Sequence, residues 1–188
     1  MNVIENNIMN IYEIKKSKFI TYIYKVTNLE EVNNILDELR TKYKDATHIC
    51  YGYKIENIIR FSDDNEPGGT AGLPIIEVLN KKNIDYCLAV VIRYFGGIKL
   101  GAGGLVRAYS KSVSDALSNT KIIELKNGKE IIIEVTYDEN KKLSYLLKDK
   151  KVINIDFKEN VIYTVHLEDK DIDLINEYNY KIIKDIKL

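Results

Sequence analysis

Two side chains that together could perform nucleophilic chemistry, His48 and Cys50, lie two residues apart in an apolar run. On a β-strand both would point to the same face, where an imidazole can activate a thiolate for attack on a carbonyl. Cysteine hydrolases, however, bring these residues together from distant parts of the chain. We therefore favour packing with one hydrogen bond for this pair, with nucleophilic catalysis as the alternative.

Three carboxylates, Asp63, Asp64 and Glu66, follow close together. Closely spaced oxygens suit a hard cation such as magnesium or calcium, although the spacing fits no EF-hand loop. Pro67 and the two glycines after it indicate a turn that leads into a helix. Turn formation and helix capping are sufficient roles for the three acidic residues. We predict that no metal is bound here, and a metal-dependent site is the enzymatic alternative.

The glycines are concentrated in one part of the chain, since all ten except Gly52 and Gly128 lie between Gly68 and Gly104. Such a concentration predicts positive φ angles or close backbone approaches. The second stretch, Gly96–Gly104, would expose backbone N–H groups at the start of a helix, where phosphate is favoured. The alternative is a purely structural loop. Neither the phosphate-loop pattern nor a dinucleotide-site pattern is complete, so we predict no cofactor.

Basic residues accompany the second glycine stretch, and no acidic residue interrupts the sequence from Tyr86 to Lys111. Arg107 places a cation in the first turn of the predicted helix, where the helix dipole disfavours it, so an anion should lie nearby. That anion is either a ligand phosphate or one of the three carboxylates, and we favour internal pairing. The predicted set for binding nucleic acid or another anion is Arg93, Gly96, Gly97, Lys99, Gly101, Gly103, Gly104, Arg107 and Lys111.

Composition limits the class of protein. The 188 residues are 45% hydrophobic, and 28 basic residues balance 28 acidic ones, so the overall charge does not indicate nucleic-acid binding. No apolar run approaches the ~20 residues that span a bilayer, and no signal peptide is recognisable, which predicts a cytoplasmic protein without a membrane segment. The two cysteines, Cys50 and Cys87, lack metal-ligand spacing, and we interpret both as buried thiols.

Hydrophobic periodicity predicts the elements that position these residues in the first part of the chain. Asn28 is a candidate helix cap, and Pro74 fits the first turn of a helix. The apolar run Tyr86–Ile92 predicts a strand buried on both faces at the centre of a sheet. The other predicted elements are a strand at Lys18–Val26, a helix at Leu29–Tyr43, paired strands at His48–Ile55 and Ile58–Ser62, and a helix at Gly103–Asn119.

A second domain follows the polar segment Lys126–Lys129, which we interpret as a turn, so the predicted domains are 1–126 and 127–188. The order of elements after this turn is that of a ferredoxin-like split β-α-β fold. These elements are strand Glu130–Thr136, helix Glu139–Leu147, strands Val152–Phe157 and Val161–Leu167, helix Ile172–Tyr178, and a last strand from Lys181.

Four segments together resemble the signature of the IMPACT/YigZ family. They are DDNEPGGTAG at Asp63–Gly72, which includes Thr70, the stretch RYFGGIKLGAGGLVRAY at Arg93–Tyr109, HICYGY at His48–Tyr53, and SKFI at Ser17–Ile20. The resemblance covers roughly residues 15 to 120. Asn65 stands where the family usually has glycine, and because asparagine tolerates the left-handed conformation, we expect the turn to survive.

The resemblance implies an α+β protein with an N-terminal ribosomal-protein/elongation-factor-like β-α domain followed by a ferredoxin-like α+β domain. This pairing is similar to the last two domains of elongation factor G. It further implies a non-enzymatic, translation-linked binding or regulatory protein that contacts RNA, the ribosome or a regulatory protein through a glycine-rich basic surface. A hydrolase that uses His48 and Cys50, or an acidic metal site, is the alternative.

Overall fold

The uninterrupted apolar run after Asp85 forms the strand Cys87–Tyr94, in which every residue except Tyr94 is buried. This strand is the third of five in an antiparallel sheet and has a neighbour on each side. Strands without polar alternation are those covered on both faces, and helices cover both faces of this sheet. The prediction of a buried central strand is therefore confirmed.

The computed structural model describes residues 1–188, which divide into two compact units, Met1–Glu124 and Leu125–Leu188. Helices and antiparallel sheets occur in both units, as expected for an α+β protein. The strands of the first unit are β1 (Asn2–Ile4), β2 (Ile8–Ile14), β3 (Ser17–Lys25), β4 (His48–Ile55), β5 (Ile58–Ser62), β6 (Cys87–Tyr94) and β7 (Ile122–Glu124). Its helices are α1 (Leu29–Lys42), α2 (Gly72–Lys81) and α3 (Ala102–Ser118).

The sheet of the first unit has the order β2-β3-β6-β4-β5, and β1 pairs separately with β7. Helix α1 covers one face through Val32, Leu36 and Leu39. Helices α2 and α3 cover the other face, where Tyr109 packs edge-on against Phe19 with ring centroids 5.2 Å apart. Each helix contributes one apolar stripe, as a layered α/β packing requires.

Helix α1 begins where the sequence predicted. The side-chain oxygen of Asn28 accepts a hydrogen bond from the backbone N–H of Glu31 at 2.9 Å. An asparagine in this position satisfies one of the N–H groups that a helix start leaves without a partner. The predicted cap is therefore confirmed.

The second unit contains a four-stranded antiparallel sheet in the order β11-β8-β10-β9. Thr136 and Glu139 form a capping box at the start of its helix, with reciprocal side-chain and backbone hydrogen bonds. Its elements are β8 (Asn127–Val135), α4 (Tyr137–Leu146), β9 (Lys151–Phe157), β10 (Val161–Glu168), a 3-10 helix (Asp169–Ile175) and β11 (Asn179–Lys187). None of the helices in either unit combines the length and apolarity that crossing a membrane requires.

Two local predictions for the second unit are wrong. The expected turn at Lys126–Lys129 is mostly strand, because β8 begins at Asn127 and pairs with β11. Gly128 serves a close approach there, since a Cβ atom would lie 2.5 Å from the carbonyl oxygen of Leu167. The expected α-helix Ile172–Tyr178 is instead a 3-10 helix that runs from Asp169 to Ile175. Short connecting segments often adopt this tighter helix.

Candidate functional site

The Asp63 carboxylate holds the loop that precedes α2. One oxygen, Oδ1, accepts from the backbone N–H groups of Ala71 and Gly72 at 3.0 and 2.8 Å, and Oδ2 accepts from Gly69 N–H at 2.8 Å. Burial opposes ionisation, but the three donors outweigh it and hold the pKa of Asp63 below its usual range. Asp63 therefore acts as a helix cap, the simpler of the two roles expected for it.

Asp64 and Asn65 shape the turn between β5 and α2. Both have positive φ, 43° and 64°, so the left-handed turn expected at Asn65 is present. The Asp64 carboxylate accepts from the backbone N–H of Ile49 at 2.5 Å, and its backbone carbonyl accepts from Nδ1 of His48 at 2.7 Å. Because a carbonyl only accepts, Nδ1 of His48 carries a hydrogen and donates this bond.

Glu66 forms the buried ionic centre of the site. Its Oε1 accepts from Nη1 of Arg93 at 2.5 Å and from the Tyr109 hydroxyl at 2.7 Å. Both charged residues are almost fully buried, with 7% of Glu66 and 5% of Arg93 exposed. Buried charges are tolerated when they are paired in this way. Glu66 and Arg93 thus form an ion pair inside the protein.

Cys50 lacks the exposure that a nucleophile needs, because it is fully buried and its Sγ donates to the carbonyl oxygen of Asp63 at 3.0 Å. Burial is the main cause that raises the pKa of this thiol to about 12; the hydrogen bond with Tyr109 opposes the rise, and the charges of Glu66, Asp64 and Asp63 contribute to it. A nucleophilic cysteine needs a lowered pKa and access to substrate. These features weigh against the hydrolase alternative that pairs Cys50 with His48.

The three carboxylates also fail to converge on a common point, since each has its own protein donors. Asp63 binds the start of α2, Asp64 binds the backbone of β4, and Glu66 binds Arg93. At least one oxygen of each carboxylate accepts from a protein N–H or O–H group, and the three side chains do not form a cluster that could hold a metal ion. Thr70 is likewise structural, because its hydroxyl donates to the carbonyl of Pro67 at 2.6 Å.

A cavity of about 400 Å³ lies against this network, between the turn before α2 and the start of α3. His48, Glu66 and Arg93 contribute to its polar part. The remaining walls include the apolar side chains of Phe95 and Leu105. A concave site with apolar walls and a few converging polar groups is the usual form of a small-ligand site.

The second glycine stretch forms the loop from β6 to α3 at the edge of this cavity. Gly96 is required by a close approach, because a Cβ there would lie 2.0 Å from the carbonyl carbon of Lys16. Gly101 is the N-cap of α3 and has φ of 72°, a conformation that other residues rarely adopt. Gly97 lies in the loop, and Gly103 and Gly104 lie in the first turn of α3. A structural requirement therefore accounts for Gly96 and Gly101, and Gly97, with φ of 81°, is a third such position.

The structure separates the predicted basic residues. Arg93 is buried with Glu66, and Lys111 pairs with Asp115 one helical turn away at 2.9 Å. Lys99 and Arg107 are exposed and form no ion pair. Pairing of Arg107 with a carboxylate of the Asp63–Glu66 segment, which the sequence favoured, is therefore wrong, because Glu66 lies under Arg93 instead.

The fold adds two lysines that the sequence analysis missed. Lys15 and Lys16 form the tight turn between β2 and β3, with φ of 47° and 63°, and Lys16 packs its backbone against Gly96. Lys15 and Arg107 line the same groove beside α3. The available signal was the consecutive lysines before Ser17. We call the exposed residues Lys15, Lys16, Lys99 and Arg107 the basic rim.

Phe95 is a further residue that the sequence analysis did not single out. It follows β6 directly, is 45% exposed, and lines the cavity. Its ring centroid lies 5.6 Å from Cζ of Arg93, and its backbone N–H donates to the Thr47 hydroxyl at 2.9 Å. An aromatic ring that a cation and a hydrogen bond hold in place at the mouth of a cavity provides a flat contact surface.

The chain is similar in sequence to known proteins. A family model described as the Impact N-terminal domain matches residues 15–117. The IMPACT family member YvyE of Bacillus subtilis (strain 168) is 37% identical over 170 residues, which are 88% of this chain and 78% of that protein. The IMPACT family member YigZ of Escherichia coli (strain K12) is 35% identical over 164 residues, 84% and 80% of the two chains.

The fold as a whole also has a counterpart among solved structures. A crystal structure of a hypothetical protein superimposes with a TM-score of 0.66 at 30% identity, and the match covers 97% of each chain. Together with the family model, which spans more than half of the residues, these likenesses extend over both units. The chain therefore belongs to the IMPACT family.

Proposed function

We propose that this protein is a non-enzymatic, translation-linked binding protein that contacts RNA through the basic rim and the start of α3. Membership of the IMPACT family supports a role in regulating translation, because eukaryotic members resemble regulators of that process. The two buried, unpaired cysteines fit a reducing compartment, and we place the protein in the cytoplasm.

The domain assignments belong to the same proposal. We assign the first unit to the ribosomal-protein/elongation-factor-like β-α domains. We assign the second unit to the ferredoxin-like domains, and the strand order β11-β8-β10-β9 with its β-α-β-β-3-10-β succession supports this assignment. A pairing of this kind, similar to the last two domains of elongation factor G, is appropriate for a protein that acts at the ribosome.

The observation that carries the proposal is the unbalanced positive charge around α3. None of the four cations of the basic rim forms an ion pair: Lys99 comes just before this helix, Arg107 lies in it, Lys15 shares a groove with Arg107, and Lys16 packs its backbone against Gly96. No side chain caps the helix, so its first N–H groups add their dipole to the same field. Phosphate groups of a nucleic-acid backbone are the anions that such a surface binds, with the positive ends of helices as recurrent contacts.

The experiment is a binding titration of the full chain against single-stranded RNA, double-stranded RNA and ribosomes across a salt series. The test variant is Lys99→Ala with Arg107→Ala, two exposed cations of the rim. The matched control is Lys44→Ala with Arg60→Ala, which removes the same charge from other exposed positions of the unit. Arg93 is left intact, because its replacement would leave Glu66 as a buried charge without its ion-pair partner.

We expect RNA binding to weaken in the test variant and its log–log salt slope to fall by about two, one for each lost phosphate contact. The control should retain both the affinity and the slope. Equal behaviour of the two variants would contradict the proposed surface. Ribosome binding that is independent of salt and absent on free RNA would instead identify a protein as the contact.

A further inference from the structure

We propose that the cavity beside α3 accepts one unpaired RNA nucleotide, with its base against Phe95 and its phosphate at the start of α3. This inference rests on the proposed function and names the ligand of its central contact. The cavity measures about 400 Å³, within the range of about 300–1,000 Å³ that is common for small-ligand sites. It is therefore large enough for a single nucleotide and too confined for a duplex.

The phosphate end of the cavity has more than a helix start. Gly101 and Ala102, which begin α3, line it together with the exposed Lys99. Arg93 lines it as well and is only 5% exposed, yet its Nε has no hydrogen-bond partner in the protein. The buried guanidinium of Arg93 and a helix start without a side-chain cap thus line the same cavity, and an anion bound in it would complement the charge of both.

The base end is aromatic and has a defined polar contact. Phe95 keeps 45% of its surface exposed while Arg93 and Thr47 fix its position. Nε2 of His48 lies 3.8 Å from Oε2 of Glu66, too far for a hydrogen bond. Since Nδ1 is used by the carbonyl of Asp64, Nε2 is the ring nitrogen left for a hydrogen bond with a polar group on a base edge.

The acidic group at the cavity is already neutralised. Glu66 contributes to the lining, but its Oε1 accepts from both Arg93 and Tyr109. The charge left over at the mouth is therefore that of Lys99 and the helix start, which selects an anionic ligand. The aromatic wall adds a preference for a base, because every nucleobase has a π-face that can stack.

The test uses the isotopically labelled full chain, titrated with uridine 5′-monophosphate, uridine and inorganic phosphate while amide signals are followed by NMR. We expect uridine monophosphate to shift the amide signals of Phe95, Ala102 and Gly103 with an affinity above that of either part alone. Phe95→Leu should weaken uridine monophosphate about 5- to 100-fold and leave phosphate unchanged, since stacking is lost.

Phe61→Leu is the matched control, because Phe61 is 46% exposed on β5 and does not line the cavity. Its replacement should change neither affinity. Equal affinities for phosphate and uridine monophosphate, with no effect of Phe95→Leu, would reduce the site to an anion site and overturn the nucleotide assignment. Absence of any shift at Ala102 and Gly103 would overturn the site altogether.

A competition experiment with an oligouridylate of eight nucleotides shows whether the ligand of the cavity is RNA or a free nucleotide. We expect it to displace uridine monophosphate and to bind more tightly, because the rest of its backbone reaches the basic rim. Failure to displace would identify a free nucleotide as the occupant and overturn the RNA assignment. If RNA binding by the rim persists while the cavity takes no nucleotide, the proposed function survives and only this inference fails.

Discussion

Helices α2 and α3 both begin after a glycine-rich stretch, and the N-cap residue of neither helix, Ala71 or Gly101, supplies a side-chain cap. They differ in what lies in front of them. The Asp63 carboxylate binds the first N–H groups of α2, whereas α3 faces Lys99 and a cavity. One helix start is therefore completed inside the protein, and the other is left for an anion from outside.

The difference explains why the acidic and basic motifs occur together in the chain. The acids of the first motif complete the fold, at α2, at β4 and under Arg93. The cations around the second motif, except Arg93 and Lys111, have no such internal use. A protein with zero formal net charge can in this way keep cations at the start of α3 that form no ion pair.

The largest expected effect is that of Glu66→Ala, which tests whether the acidic motif is structural. Removal of one partner leaves Arg93 buried and unpaired, so we expect the free energy of unfolding to fall by about 3–5 kcal/mol. Urea denaturation measures the loss. Glu13→Ala, at an exposed position on β2, is the control and should cost less than about 0.5 kcal/mol. Similar losses of unfolding free energy in the two variants would show that Glu66 is not essential for the stability of the fold.

Asp63→Ala tests the completed helix start directly. Three backbone N–H groups lose a charged acceptor, and we expect a loss of about 1–3 kcal/mol in unfolding free energy. The folded fraction should bind RNA with unchanged affinity and salt slope, because the cap lies at α2. A weaker affinity of the folded fraction would mean that the two helix starts are not independent.

The pH dependence of stability gives a smaller and more specific signal from the same residue. The pKa of Asp63 is lowered in the folded protein, so its stabilisation is complete above the pKa of the unfolded chain, about 3.9. It disappears as the pH falls through the lower folded-state value. The stability difference between the native chain and Asp63→Asn should therefore be constant well above about pH 4 and shrink as the pH falls below it in urea titrations. A constant difference would contradict the lowered pKa.

Ala102→Glu should have the smallest effect on stability and is the sharpest test of the comparison. A carboxylate in the first turn of α3 complements the helix dipole, so we expect a gain of about 0.3–1 kcal/mol. The same charge should repel phosphate and reduce the salt slope of RNA binding by about one. Ala102→Gln, of equal length and neutral, separates charge from bulk. If Ala102→Glu binds RNA as the native chain does, the start of α3 is not the anion site.

Features encoded by local chemistry were predictable from the sequence. The apolar run of β6 gave the central strand, Asn28 gave the cap of α1, and Asn65 gave a left-handed turn. Each depends on the preference of one residue or a short pattern. The edge strand β2 was not predicted, because its alternating residues are only half-buried or exposed and its pattern is correspondingly weak.

Features that depend on long-range contacts were not predictable. Glu66 pairs with Arg93 rather than Arg107 because β6 brings Arg93, its second-last residue, under the turn before α2. Lys16 joins the basic rim only because its backbone packs on Gly96, 80 residues further along the chain. The sequence identified the motif that carries the candidate site, but the contacts between its residues are set by the sheet.

The two cysteines have a practical consequence, since Cys50 and Cys87 are both fully buried in the first unit and the second unit has none. Burial raises the pKa of each thiol to about 12. A thiol reagent can therefore modify them only when the first unit opens. The rate of modification would report how often that unit opens. The second unit contains no cysteine and would not contribute to the signal. The native cysteines are thus built-in probes of local unfolding in the unit that contains the candidate site.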